Sequence, residues 1–151
     1  MKWMIWNCLN KGGTESNLRK WYSKKFYWLK KKSGQDNIIA VPGAATTAGI
    51  VAINSFIKNK VLVINTGYYS NRWLNYLKRT KLVKKVESMN YNDFLNKKIS
   101  SRYNWVIFVY VETASCTKFD IISVKKKCKS INSKLFADAT ASIGLEKNHG
   151  Y

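Results

Sequence analysis

Four short apolar runs, rich in β-branched residues, alternate along this chain with longer segments of helical period, and that alternation restricts the fold more than any other feature. The runs cover residues 38–41, 61–65, 105–111 and 134–137. Each is too short for an independent helix and apolar at successive positions, as expected of a strand covered on both faces in a parallel sheet. Helical spacing covers residues 15–32, 46–58, 71–79 and 119–131, and 90–98 reads as one short helix. A helix followed by strands and helices in turn predicts an α/β fold, a doubly wound, mostly parallel sheet flanked by helices on both faces. No internal repeat or linker interrupts the 151 residues, so one domain is expected.

Composition closes off several other readings. An apolar share of 46% with a single proline does not suit a disordered, collagen-like or low-complexity chain. The 27 Lys and Arg against 8 acidic residues give a net charge of +19, a field able to attract phosphates, nucleic acid or anionic lipid. The clusters, however, lie at Lys24 and Lys25, Lys30 to Lys32, Lys84 and Lys85, and Lys125 to Lys127, amid many Asn and Ile, as in a product of an A- and T-rich genome. They fall on expected helix faces and turns rather than in one basic stripe with interleaved aromatics, so nucleic acid is not the expected partner.

Cys8, Cys116 and Cys128 are odd in number and lack CxxC spacing, which predicts reduced thiols, no disulfide framework and no metal site. The opening MKWMIWNCLN has neither a long apolar stretch nor a small-residue cleavage site, and no later run reaches membrane-spanning length. A cytoplasmic protein without membrane contact is expected. The lone His149 and nearby Lys147 are expected in solvent.

In doubly wound sheets ligands bind beyond the carboxyl ends of the strands, which directs attention to the residues that follow each run. After the first come Pro42, Gly43, Ala44, Ala45, Thr46 and Thr47, small residues leading into a helix whose free N–H groups and dipole favour a phosphate. The same residues also suit a plain tight connection. After the second run, Thr66-Gly67-Tyr68-Tyr69-Ser70-Asn71-Arg72 offers two aromatics on which a flat ligand could stack, or a pair of rim tyrosines. The third is followed by Glu112-Thr113-Ala114-Ser115, a carboxylate and two hydroxyls. Asp138 stands directly behind Leu135-Phe136-Ala137, and an acid entering so apolar an edge needs a partner.

Together these four stretches resemble the class V pyridoxal-phosphate-dependent aminotransferases over about residues 36 to 144. Val111-Glu112-Thr113-Ala114-Ser115 resembles that family's H-x-E-T-S/T-T-G, and the stretch from Leu135 to Gly144 resembles its L-x-V-D-A-x-S-S-x-G. Upstream, Gly43-Ala44-Ala45-Thr46 falls where the family has G-S-G-T/H, and Thr66 to Arg72 looks like N-G-x-Y/W-G-x-R. Within the family the sequence is most similar to 2-aminoethylphosphonate–pyruvate aminotransferases, with alanine–glyoxylate and serine–pyruvate aminotransferases close behind.

The resemblance implies part of the large domain of a fold-type-I transferase and a set of cofactor contacts. Asp138 would bond the pyridine nitrogen of pyridoxal 5'-phosphate, which keeps the ring an electron sink and makes Asp138 the catalytic residue. Tyr69 would stack on the ring, Thr113 would hydrogen-bond its 3-oxygen, and the backbone of Ala44, Ala45 and Thr46 would hold the phosphate. The implied activity moves an amino group from 2-aminoethylphosphonate to pyruvate, or between the substrates of the two related enzymes, in a homodimer.

Several positions depart from the family pattern. Ala44 and Ala45 replace serine and glycine, which removes one hydroxyl contact to phosphate and the close approach glycine permits. Tyr110 stands for a histidine, Cys116 for a glycine and Asp120 for a proline. The family's Schiff-base lysine lies about 25 residues past the aspartate, beyond Tyr151, and the small carboxy-terminal domain lies beyond it too. Residues 1–13 stand where the family has an arm and an opening strand. The chain is therefore expected to be a fragment or truncated frame, incomplete as a domain and inactive alone. Two other readings follow from the same features: a non-catalytic basic module that binds anions or nucleic acid, and a degenerate subunit completing the site of a full-length homologue.

Overall fold

The computed structural model of the chain describes residues 15–33, 35, 37–80, 82–100, 102–143 and 145. Cys8, Lys147, His149 and the segment 1–13 lie outside the described residues. Those described form two compact units. One holds the residues up to Val51 together with Ile143 and Leu145, the other Ala52–Ser142.

The first unit contains helix α1, Glu15–Ser33, and the start of helix α2, Ala45–Phe56. Most α1 side chains are exposed, and its aromatics pair along the helix, Trp21 with Tyr22 and Tyr22 with Phe26 at 5.3 and 5.6 Å between ring centroids. Residues 38–41, expected as a strand, are irregular here, and Ile39 is 73% exposed. An apolar tetrapeptide becomes a strand only when a partner accepts its backbone hydrogen bonds, and none of the described strands does.

The second unit is built on a parallel sheet. Its strands are β1, Asn59–Asn65, β2, Val83–Asn90, β3, Trp105–Val109, and β6, Lys134–Asp138, in the spatial order β2-β1-β3-β6. The central strands carry the expected unbroken apolar runs, Val61 to Ile64 and Val106 to Val109, all buried. β2 was not legible in the sequence. VKKVESMN contains no apolar run because it pairs on one side only and leaves half of its residues in solvent.

Helix α3, Tyr68–Arg79, links β1 to β2. The short α4, Tyr91–Asn96, links β2 to β3, and α5, Ile121–Ser130, links the region after β3 to β6. The β1-to-β2 crossover runs one way along the sheet and the later ones the other way. With right-handed crossovers this puts α3 on one face and α4 with α5 on the opposite face. Lys127 of α5 ties the last two together, donating to the carbonyls of Leu95 and Lys97 at 3.3 and 3.0 Å and so satisfying the end of α4.

α3 begins three residues earlier than its periodicity predicts, at Tyr68, because Gly67 and Ser70 cap it. The Ser70 hydroxyl, 1% exposed, accepts the N–H groups of Thr66 and Gly67 at 2.9 and 3.0 Å. α5 starts at Asp120, whose carboxylate accepts from the N–H groups of Ile122 and Ser123 at 2.9 and 3.2 Å. It ends with Asn132 at φ +53°, the N–H groups of Asn132 and Ser133 returning to the carbonyls of Lys129 and Cys128 in a Schellman arrangement. No described helix is long and apolar enough to cross a membrane.

Candidate functional site

The strand order reverses between β1 and β3, since the chain leaves β1 toward β2 and returns past it to β3. Crevices at such a switch point, beyond the carboxyl ends, are where doubly wound sheets bind ligands. The segments following β1, β3 and β6 meet there, and all of them belong to the second unit.

At the end of β1 the chain turns through Thr66 and Gly67, with Gly67 at φ +144°, a conformation that favours glycine. A side chain is also excluded by contact. A Cβ on Gly67 would lie 2.7 Å from Cγ of Glu112. Glu112 belongs to β4, Val111–Glu112, which pairs antiparallel with β5, Thr117–Lys118. Its carboxylate is wholly buried, and Oε2 accepts the backbone N–H of Tyr69 at 3.1 Å in the first turn of α3. The positive end of the helix dipole thereby faces a buried acid. Glu112 Oε1 and Thr66 Oγ1 are both buried without a hydrogen-bond partner.

The expected single strand over residues 105–111 is broken at Tyr110. Its N–H bonds the carbonyl of Asp138 at 3.0 Å, and its carbonyl accepts from Phe119 at 3.1 Å, so the chain exchanges β6 for the hairpin β4–β5 at this residue. The hairpin turn holds Thr113 to Cys116. Thr113 is exposed, and Cys116 takes φ +50°, the backbone conformation that glycine would adopt without strain. Cys116 is exposed and Cys128 buried, both free, and burial pushes the Cys128 thiol up to about 12.

Asp138 closes β6, opposite Val109 of β3, and is half-buried. Its expected partner is Trp73, a buried residue of α3 whose indole Nε1 donates to Asp138 Oδ2 at 2.9 Å. Oδ1 accepts the N–H and the hydroxyl of Thr140 at 3.1 and 2.6 Å. The indole N–H of Trp73 and the N–H and hydroxyl of Thr140 thus all donate to this carboxyl group. Trp73 packs edge-on against Phe136 of the same strand, 6.4 Å between ring centroids. Sequence reasoning missed Trp73; the signal was its place four residues after Tyr69, hence on the same face of α3.

Tyr69 is half-buried, with the Arg72 guanidinium 5.6 Å from its ring centroid and Tyr68 edge-on at 5.2 Å. One chain of contacts thus runs from Asp138 through Trp73 along α3 to Tyr69 and, by its N–H, to Glu112, the neighbour of Thr113. Ala44, Ala45 and Thr46 lie in the first unit. Ala44 caps α2, its carbonyl accepting from Ala48 at 3.2 Å, so the N–H groups of Ala45, Thr46 and Thr47 have no partner within the helix. Gly43, at φ +132°, makes the turn before it. Among the described residues no three His, Cys, Asp or Glu side chains converge as metal ligands would.

No family model and no curated protein sequence matches the chain. Among solved structures it is similar to the crystal structure of an alanine–glyoxylate aminotransferase from Nostoc sp., with a TM-score of 0.67 and 21% identity. The match covers 77% of this chain and 33% of that one, so the chain spans well under half of the length of the enzyme it resembles. At that identity the likeness is one of architecture, and it shows that this chain has the α/β fold of part of an aminotransferase.

Proposed function

We propose that the chain forms part of a pyridoxal-phosphate site and that the protein containing it transfers an amino group from 2-aminoethylphosphonate to pyruvate. The observation that carries this reading is the carboxylate of Asp138 at the end of β6, held from three sides. A carboxylate has about four acceptor positions. Trp73 Nε1 and the two donors of Thr140 use three, leaving one on Oδ2 for a protonated ring nitrogen. When bound, the cofactor supplies an electron sink at the amine-bearing carbon of the substrate.

The protein's own part is to bind and orient. Asp138 holds a proton on the ring nitrogen. Tyr69 would cover a face of the ring, and the hydroxyl of Thr113, exposed in the hairpin turn, would bond its 3-oxygen. In the first unit, the N–H groups at the start of α2, with Ala44, Ala45 and Thr46, are the phosphate contacts that the resemblance implies. With alanine at both positions the phosphate would be held by backbone and helix dipole alone. On this reading the 151 residues are part of a cofactor-binding large domain that works as a homodimer. The alternative of an alanine–glyoxylate or serine–pyruvate type, with alanine or serine as donor, would keep the same residues in the same roles.

Pyridoxamine 5'-phosphate tests the site directly, because its amine cannot condense with the many lysines. The wild-type chain should bind it in an equilibrium titration, and Asp138→Asn should weaken binding about tenfold or more, the worth of one hydrogen bond to a charged group. No binding by the wild type refutes the cofactor assignment. For the donor, a longer protein that contains this chain together with the Schiff-base lysine, incubated with 15N-labelled 2-aminoethylphosphonate and pyruvate, should form labelled alanine, whereas the 151 residues alone should form none. Transfer seen with alanine or serine as donor, and not with the phosphonate, replaces the first substrate assignment by the second.

A further inference from the structure

We infer that Trp73 is a positioning residue for the ring nitrogen of this site, acting through Asp138; the inference rests on the cofactor reading above. Asp138 is half-buried at a strand end, and without restraint its carboxylate could turn about the Cβ–Cγ bond and offer either oxygen to water or ligand. Two anchors prevent this. Thr140 takes Oδ1 through a backbone and a side-chain donor, and the indole of Trp73 takes Oδ2 at 2.9 Å.

The Thr140 anchor lies two residues along the same segment, so it moves with Asp138. Trp73 is an independent anchor. It stands on α3, it is 7% exposed, and it packs against Phe136 and Tyr76 at 6.4 and 6.5 Å between centroids. α3 is itself fixed at its first turn by Glu112 and by the buried Ser70. The indole N–H therefore transmits the position of a rigid helix to a single carboxylate oxygen. Its consequence is selective: it leaves one oriented acceptor position on Oδ2, suited to a protonated heteroaromatic nitrogen and of no use to an ionised phosphate, which can only accept.

The selectivity makes the test. Binding of pyridoxamine 5'-phosphate is compared with that of its 1-deaza analogue, the same molecule with carbon in place of the ring nitrogen. Trp73→Phe should weaken pyridoxamine 5'-phosphate about tenfold, the worth of an oriented charged hydrogen bond, and leave the deaza analogue nearly unchanged. Trp73→His, which retains a ring donor, should recover part of the loss. Once Asp138 is Asn, adding Trp73→Phe should cost no more, since the two residues act as one unit.

Equal weakening of both ligands by Trp73→Phe shows a merely structural role and overturns the inference, as does an unchanged affinity for both. If the wild type binds neither ligand, the cofactor reading fails and takes this inference with it, a result separate from the others because it appears before any variant is made. If Trp73→Phe does not fold, the wild type still decides. The indole N–H resonance of Trp73, assigned through Trp73→His, should shift on adding pyridoxamine 5'-phosphate and stay in place with the deaza analogue. A resonance that treats the two ligands alike overturns the inference.

Discussion

At the scale of single residues, two positions show how backbone conformation and contact restrict the sequence. Gly67 carries both constraints, a φ of +144° and a missing side chain whose place Glu112 fills. Gly67→Ala should therefore destabilise the protein by about 3 kcal/mol, strain and overpacking together, read as a shifted denaturant midpoint at unchanged slope. A loss below a few tenths would show that the buried acid gives way freely. Cys116 is the reverse case. It occupies a left-handed position where the resembled family has glycine, and its Sγ makes a weak 3.8 Å contact with the Thr113 carbonyl. Cys116→Gly should stabilise by about 0.5 kcal/mol, the relief of strain less the extra freedom of glycine in the unfolded chain. A fall in thermal midpoint would contradict this.

At the scale of elements, the polar residues that resist periodicity analysis turn out to be terminators and caps. Asp120, where the resembled family has proline, is the N-cap of α5. Asp120→Ala should cost about 1 kcal/mol, seen in chemical denaturation, and Asp120→Asn should recover most of it. The hydroxyl of Ser123, then the N–H of that residue, hold the Asp120 carboxyl below its ordinary 3.8. On β2, Glu87 is held below its ordinary 4.5, first by Lys85, 2.5 Å away, and then by the Tyr103 hydroxyl. Both groups are depressed, so their contribution is complete above those ordinary values and declines as pH falls through and below them. Acid titration of stability should show that decline, and the portion due to Asp120 should vanish in Asp120→Ala. An unchanged acid limb in the variant would refute the assignment.

At the scale of the whole molecule, a net charge of +19 remains after all 8 acidic residues are set against the 27 Lys and Arg, and the described ion pairs, Lys85 with Glu87 and Lys97 with Asp93, leave most basic side chains facing like charge. Self-repulsion of like charge weakens the compact state and is screened over about 8 Å at physiological ionic strength. The thermal midpoint should therefore rise by a few degrees between low salt and about 0.3 M sodium chloride. A midpoint that falls with salt would show that attractive pairs outweigh the repulsion.

By itself the sequence determined the elements whose side chains report their surroundings at short range. Buried central strands β1 and β3 announce themselves as apolar runs, α1, α2 and α5 by period, and the ends of β1, β3 and β6 by Gly67, Glu112 and Asp138. What depends on a partner distant in the chain was settled only in three dimensions. Residues 38–41 have the composition of a strand and no ladder to join among the described residues, whereas β2 lacks the composition and becomes a strand because β1 offers its edge. Trp73 looked like one more aromatic on a helix until the fold brought it, 65 residues away in sequence, to the carboxylate of Asp138. The physical reason is common to all three. Apolar patterning records how much of a side chain leaves water, which each residue carries locally, while a hydrogen bond needs two groups whose meeting is decided by the path of the whole chain.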